Sequence, residues 1–173
     1  MQFLSERNIE MHEEYLKKLK LKYKVFEKSY PTLCGAGLRE IYRARLPISE
    51  REEAARLFAE IRAHGIFFSS FANKNLRCPR IEREFGSVAS FLYEIGEYLK
   101  GKRADFLFIC EEKGKIRFKA ECEYEWILEK FAPPLALDLC EHAYFSDYGF
   151  DREGYISSAI SHFDFSKIEK SDF

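Results

Sequence analysis

The stretch Asp138-Leu-Cys-Glu-His142-Ala-Tyr144 holds a carboxylate and an imidazole four residues apart. It follows the apolar run Leu135-Ala-Leu137, which reads as a short buried strand. Oxygen and nitrogen donors held at the end of a stiff strand suit a divalent or trivalent first-row metal ion. Two donors do not complete a coordination sphere, so further ligands must come from earlier in the chain. The choice is narrow, because the 173 residues contain only four histidines: His12, His64, His142 and His162.

The elements that would carry those histidines can be read from apolar spacing. From Ser5, a plausible N-cap, to about Tyr30 no Pro or Gly interrupts, and Ile9, Leu16, Leu19, Tyr23, Phe26 and Tyr30 recur at helical intervals. His12 fills the slot between Ile9 and Leu16. A second helix is expected from Ser49, where Ser49-x-x-Glu52 has the form of a capping box, to about Ala72. Its stripe is Leu57, Ile61, Phe68 and Phe71, and His64 again occupies the missing slot. Taken alone, a histidine on such a stripe is more readily a satisfied core residue than a ligand. Two of them on helices that can form a hairpin make a pair of inward-facing imidazoles.

Residues 31–48, with Gly35, Gly37 and Pro47, read as an irregular connection. Asn73–Pro79 is a polar break and the expected boundary between an N-terminal helical hairpin (1–78) and a C-terminal portion (79–173). A third helix, from Ile81 or Ser87 to Leu99, closes at Gly101. Ala104–Cys110 and Ile116–Tyr124 flank a Gly114 turn and predict a β-hairpin. With the strand at 135–139 they give three antiparallel strands, and a helix over Asp151–His162 ends the chain. The fold class expected is α+β: a long-helix hairpin packed on a three-stranded antiparallel sheet with flanking helices.

Composition narrows the function. Lys and Arg (28) nearly balance Asp and Glu (29), and no basic tract stands out, so nucleic-acid binding has no electrostatic footprint. No apolar run is long enough to span a membrane, and Met1–Glu6 lacks the basic-then-apolar pattern of a signal peptide. Five scattered cysteines (34, 78, 110, 122 and 140) form no CxxC pair, which points to reduced thiols and a cytoplasmic setting.

These motifs together resemble the iron/manganese superoxide dismutases. Asp138–Tyr144 is similar to the D-x-W-E-H-A-Y signature of that family. Leu4-Ser5-Glu-Arg-Asn-Ile-Glu-Met-His12 resembles the L-S-x6-H pattern that opens its first helix, and His64-Gly-Ile-Phe67-Phe68 resembles its H-x-x-F-W segment. The resemblance implies a mononuclear Mn or Fe site, one ion per subunit, with His12, His64, Asp138 and His142 as ligands and superoxide as substrate. It implies a homodimer in which Glu141 reaches His142 of a second copy. His162 is left as a structural residue.

The residues around the implied ligands depart from the family. The Tyr that the family places eight residues after its first His is Lys20 here, and the His four residues after it is Leu16. The family's Gln, from the strand region or one helical turn before the second His, is replaced at the helical position by Glu60; the sole glutamine is Gln2. The expectation is that Lys20 and Glu60 form an ion pair beside the open side of the metal, since neither charge tolerates isolation when buried. Cys140 stands where the signature has Trp, and reads as either a redox-sensitive thiol or a small buried residue. Tyr144 is retained near the site, and the second Tyr of the signature is Phe145. The leading function is superoxide disproportionation. The alternatives are a different oxygen or redox chemistry on the same metal, motivated by the altered surroundings, and a non-catalytic dismutase-like scaffold.

Overall fold

The computed structural model describes residues 3–72 and 78–169. The expected 73–79 break falls mostly on residues 73–77, which lie outside the described residues, as does Gln2. Helix α1 spans Glu6–Ser29, and Ser5 caps it by accepting a hydrogen bond from the Asn8 backbone N–H at 3.1 Å. Its buried face is Asn8, His12, Leu16, Leu19 and Tyr23. A 3₁₀ turn (Pro31–Leu33) and the short α2 (Leu38–Arg43) lead to α3 (Ile48–Ser69). The cap of α3 is Pro47, so Ser49 lies inside the first turn and the expected capping box is not the start signal. Its deepest residues are Ala54, Ala55, Leu57, Ala59, Ala63, His64 and Phe67. The four alanines let the backbones of the long helices approach closely, while Ile61, Phe68 and Phe71 are only partly buried at the flank.

The expected third helix is two: α4 (Pro79–Phe85) and α5 (Val88–Leu99). Gly86, at φ 80°, ends the first in a conformation that suits glycine, and Ser87 caps the second. Strands β1 (Phe106–Glu112) and β2 (Lys115–Glu121) form the hairpin, joined by Lys113-Gly114, both with positive φ. Two positive-φ residues match the right-handed twist of the strands in a tight two-residue turn. Tyr124, expected in the second strand, instead opens α6 (Glu125–Phe131), which was not anticipated. Strand β3 (Leu135–Asp138) pairs with β1, giving the antiparallel order β2-β1-β3. Then follow α7 (Glu141–Tyr148), α8 (Arg152–Ile160, capped by Asp151) and α9 (Ser166–Glu169).

The molecule is thus α+β, a helical hairpin against a three-stranded sheet with flanking helices. The central strand β1 is buried along Phe106–Cys110, and a single apolar core runs from α1 and α3 through the sheet to α8. Ser70 ties the end of α3 to the sheet. Its Oγ donates to the Ile66 carbonyl and accepts from the Ala136 N–H, each at 2.8 Å, fixing α3 against β3. Among the described residues no helix is long and apolar enough to cross a membrane.

Candidate metal centre

Four side chains from four elements converge where α1, α3, β3 and α7 meet. The Nε2 atoms of His12, His64 and His142 stand 3.2, 3.3 and 3.1 Å from Oδ2 of Asp138. The four donor atoms all lie within 4.8 Å of one another. His12, His64 and Asp138 are fully buried, whereas 34% of the His142 side chain is accessible.

Each donor is aimed by its local structure. The α1 N-terminus is pinned to α7: Ser5 donates through its N–H and Oγ to the two carboxylate oxygens of Asp147 (2.8 and 2.7 Å), and Asn8 Nδ2 donates to Ser146 Oγ (2.8 Å). That clamp fixes His12, two turns into α1, relative to His142 at the start of α7. On α3, His64 Nδ1 donates to the Glu60 carbonyl at 2.7 Å, which leaves the Nε2 lone pair facing the cluster. Asp138 ends β3, where Phe106 pairs with it across the sheet. Its Oδ1 accepts from the Cys140 N–H (2.8 Å), and its carbonyl accepts from the Tyr155 hydroxyl (2.7 Å). Rings close the rest of the shell: Phe67 and Phe68 against His12, Phe106 against His64, and Tyr15 over His142 with centroids 4.6 Å apart.

Oδ2 of Asp138 and both ring nitrogens of His12 are buried without a hydrogen-bond partner. The imidazole nitrogens crowd Oδ2 at 3.1–3.3 Å, yet none makes a well-formed hydrogen bond to it. Native interiors rarely tolerate such orphans unless something absent from the chain satisfies them. A cation does so. Bonds of about 2.1 Å, typical of nitrogen and oxygen on a small divalent ion, set neighbouring donors about 3 Å apart. Burial pushes the Asp138 carboxyl up, but the neighbouring His12 and His142, and then the charge of His64, hold it well below the usual carboxylate range. Burial lowers His64, against the pull of Asp138. His142 is raised, because contact with Asp138 outweighs its burial. The donors therefore form a set of three imidazoles and one carboxylate that could hold a first-row metal ion.

The surroundings correct one expectation. Lys20 is exposed on α1 and makes no ion pair with Glu60. Glu60 instead accepts a hydrogen bond from the Tyr15 hydroxyl at 2.5 Å. The Tyr15 phenol is raised well above its ordinary range, first by burial and then by this bond and the Glu60 charge. Tyr15 was missed by sequence reasoning, although it lies three residues after His12 and so shares its helix face.

Cys140 borders the site, its thiol 3.7 Å from the Asp105 carbonyl and driven far up by burial and then by Asp138 and Asp105. Both influences disfavour the thiolate. Tyr144 lies one layer out, stacked on Tyr155 (4.8 Å) rather than facing the cluster. Glu141 is exposed beside His142 and makes no ion pair among the described residues. His162 stands apart, its Nδ1 against the Ser158 carbonyl at 2.8 Å.

Comparison with known proteins agrees with this geometry. Residues 74–171 match the pattern described as iron/manganese superoxide dismutases, C-terminal domain. That span covers more than half of the chain and includes Asp138 and His142, so the chain belongs to the iron/manganese superoxide dismutase family. A curated relative, "Superoxide dismutase [Fe] 2, chloroplastic" from Oryza sativa subsp. japonica, is 25% identical over 175 aligned positions, covering 92% of this chain and 67% of the relative. That alignment extends toward the helices bearing His12 and His64, which the family pattern does not reach.

Proposed function

We propose that this chain is a superoxide dismutase-type oxidoreductase in which His12, His64, Asp138 and His142 hold one Mn or Fe ion per subunit. The supporting observation is the fully buried, unpartnered Oδ2 of Asp138 facing three imidazole nitrogens at 3.1–3.3 Å. An ion bound there supplies the one-electron chemistry that oxidises one superoxide to dioxygen and, with two protons, reduces another to hydrogen peroxide.

The chain's own groups have separate tasks. The Glu60 carbonyl holds the proton on His64 Nδ1 and so keeps Nε2 free as a donor. The Cys140 N–H holds Asp138 Oδ1, leaving Oδ2 as the ligand oxygen. Phe67, Phe68 and Phe106 exclude water from the deep side. Tyr15 and Glu60 hold a proton between them at the open side, where the family places a Tyr and a Gln. Glu141, exposed beside His142 with the apolar Met11 and Phe145 nearby, fits a two-fold interface in which each copy's Glu141 reaches the other's His142. The five free cysteines fit a cytoplasmic protein.

Mn- and Fe-loaded protein is expected to consume superoxide, with activity abolished in His64→Ala. Fully loaded protein that removes superoxide no faster than the free ion overturns the reaction. A second reading, a different oxygen or redox chemistry at the same metal, is favoured by the Glu60 carboxylate where the family has an amide. It predicts metal-dependent turnover of another oxygen species without superoxide consumption.

A further inference from the structure

Among the described residues, two recesses reach the ligand cluster. One lies outside His142, between α1 and α7. The other, of about 260 Å³, enters between α3, the start of β1 and the loop before α6, and ends on His64 and His142. Among the described residues lining this second mouth, the acidic groups are Glu60, Asp105, Glu123 and Glu125, and the only cation is Arg56. None of the five forms an ion pair among the described residues, and four carboxylates face one guanidinium. Nor is the mouth merely an acidic surface. The rings that floor it face Asp138 Oδ2, a wholly buried and unpartnered oxygen, at 3.3 Å from His64 and 3.1 Å from His142.

We infer that this mouth is a cation-selective entrance, which speeds divalent metal ions to the buried ligands and slows small anions on the same path. The inference rests on the metal-site reading above and adds the sign of charge that the path admits. Charges of one sign lining a cleft with low-dielectric walls focus their field inward and raise the entry rate of the opposite charge. The effect weakens once the Debye length, about 10 Å at 0.1 M salt, falls to the width of such a cleft. Glu60 and Asp105 line the mouth together with the histidines, Glu123 stands just before α6 and Glu125 is its first residue. Superoxide is an anion and meets the same field with the opposite sign. A dismutase reaction through this mouth must therefore work against its entrance, and added salt must help it.

The test is stopped-flow uptake of Co²⁺ by the metal-free full chain, followed by the ion's visible absorption over a series of salt concentrations. Uptake is expected to slow as salt rises. Glu123→Gln/Glu125→Gln is expected to take up Co²⁺ roughly three- to ten-fold more slowly at low salt, with a flatter salt dependence and unchanged final stoichiometry. Glu97→Gln/Glu153→Gln, the same charge change on the remote faces of α5 and α8, is expected to leave the rate unchanged. Azide binding to the loaded protein must show the reverse trend, accelerating with salt. Stoichiometric binding at a rate indifferent to salt, or slowed equally by both double variants, overturns this inference alone. Failure to bind Co²⁺ at all overturns it together with the metal-site reading.

Discussion

The deep wall of the ligand cluster and its mouth are built in different ways. His12, His64 and Asp138 are fully buried; an i–4 carbonyl aims His64 and a strand end aims Asp138, while His12 follows a capped helix start that Asp147 also clamps. At the mouth, Tyr15, Glu60, Cys140 and His142 are aimed by side-chain contacts between separate elements. Backbone devices act over a few residues, so the wall resists change in the surrounding sequence. Side-chain contacts can be rebuilt one residue at a time. The contrast fits a wall whose donors match the family's motifs beside a mouth where Lys20 stands at the family's Tyr position and Tyr15 bonds Glu60 instead.

The comparison breaks most sharply at the wall. Asp138→Ala should weaken metal retention by more than about 100-fold, beyond the usual cost of losing an outer-shell partner, as read by metal analysis after dialysis. Next in size, Tyr15→Phe and Glu60→Gln should retain stoichiometric metal but change turnover by about 10- to 100-fold. Their reduction potentials should also shift, which a merely structural role for the pair would not produce. Loss of metal from either variant would move Glu60 and Tyr15 from the mouth into the wall.

A smaller effect is expected at the clamp between α1 and α7. Ser5→Ala removes an N-cap, and should cost about 1 kcal/mol in urea unfolding of the metal-free protein. Because the same hydroxyl holds Asp147, metal affinity should fall as well. A drop in stability with unchanged affinity would show that the cap does not position His12. The smallest effect is expected at Cys140. Burial first, and then the charges of Asp138 and Asp105, raise its thiol pKa. Alkylation at pH 8 should therefore be slow there and faster at the exposed Cys34, and Cys140→Ser should leave the metal content unchanged. Rapid labelling of Cys140 would restore the redox-sensitive reading.

The same division governs what could be read from the sequence. His12 and His64 fill gaps in apolar helix stripes and Asp138 and His142 sit at and just after a short strand, but it is the resemblance to the family's motifs that joins the four into one set. The three strands and the long hairpin were legible from local periodicity. Helices α6 and α7 were missed because they have only seven and eight residues, too short for an apolar period to stand out.

The Lys20–Glu60 expectation failed for a geometric reason. At 1.5 Å per residue, Lys20 lies about 12 Å along α1 from His12, whereas Tyr15 lies about 4.5 Å away. Glu60 is one turn before His64 on the returning helix, so its counterpart on α1 must lie about one turn after His12. Tyr15 meets that condition and Lys20 does not. The acidity of the second mouth was illegible for another reason: residues 56, 60, 105, 123 and 125 become neighbours only when α3, β1 and the approach to α6 are packed together.

The central claim is that the orphaned oxygen of Asp138 and the three imidazoles around it exist to hold a metal ion. Metal analysis of freshly purified protein, wild type beside Asp138→Ala, tests it most directly. The account predicts about one Mn or Fe ion per chain in the wild type and almost none in the variant. Wild-type protein free of both metals, or a variant that retains as much metal as the wild type, would contradict it.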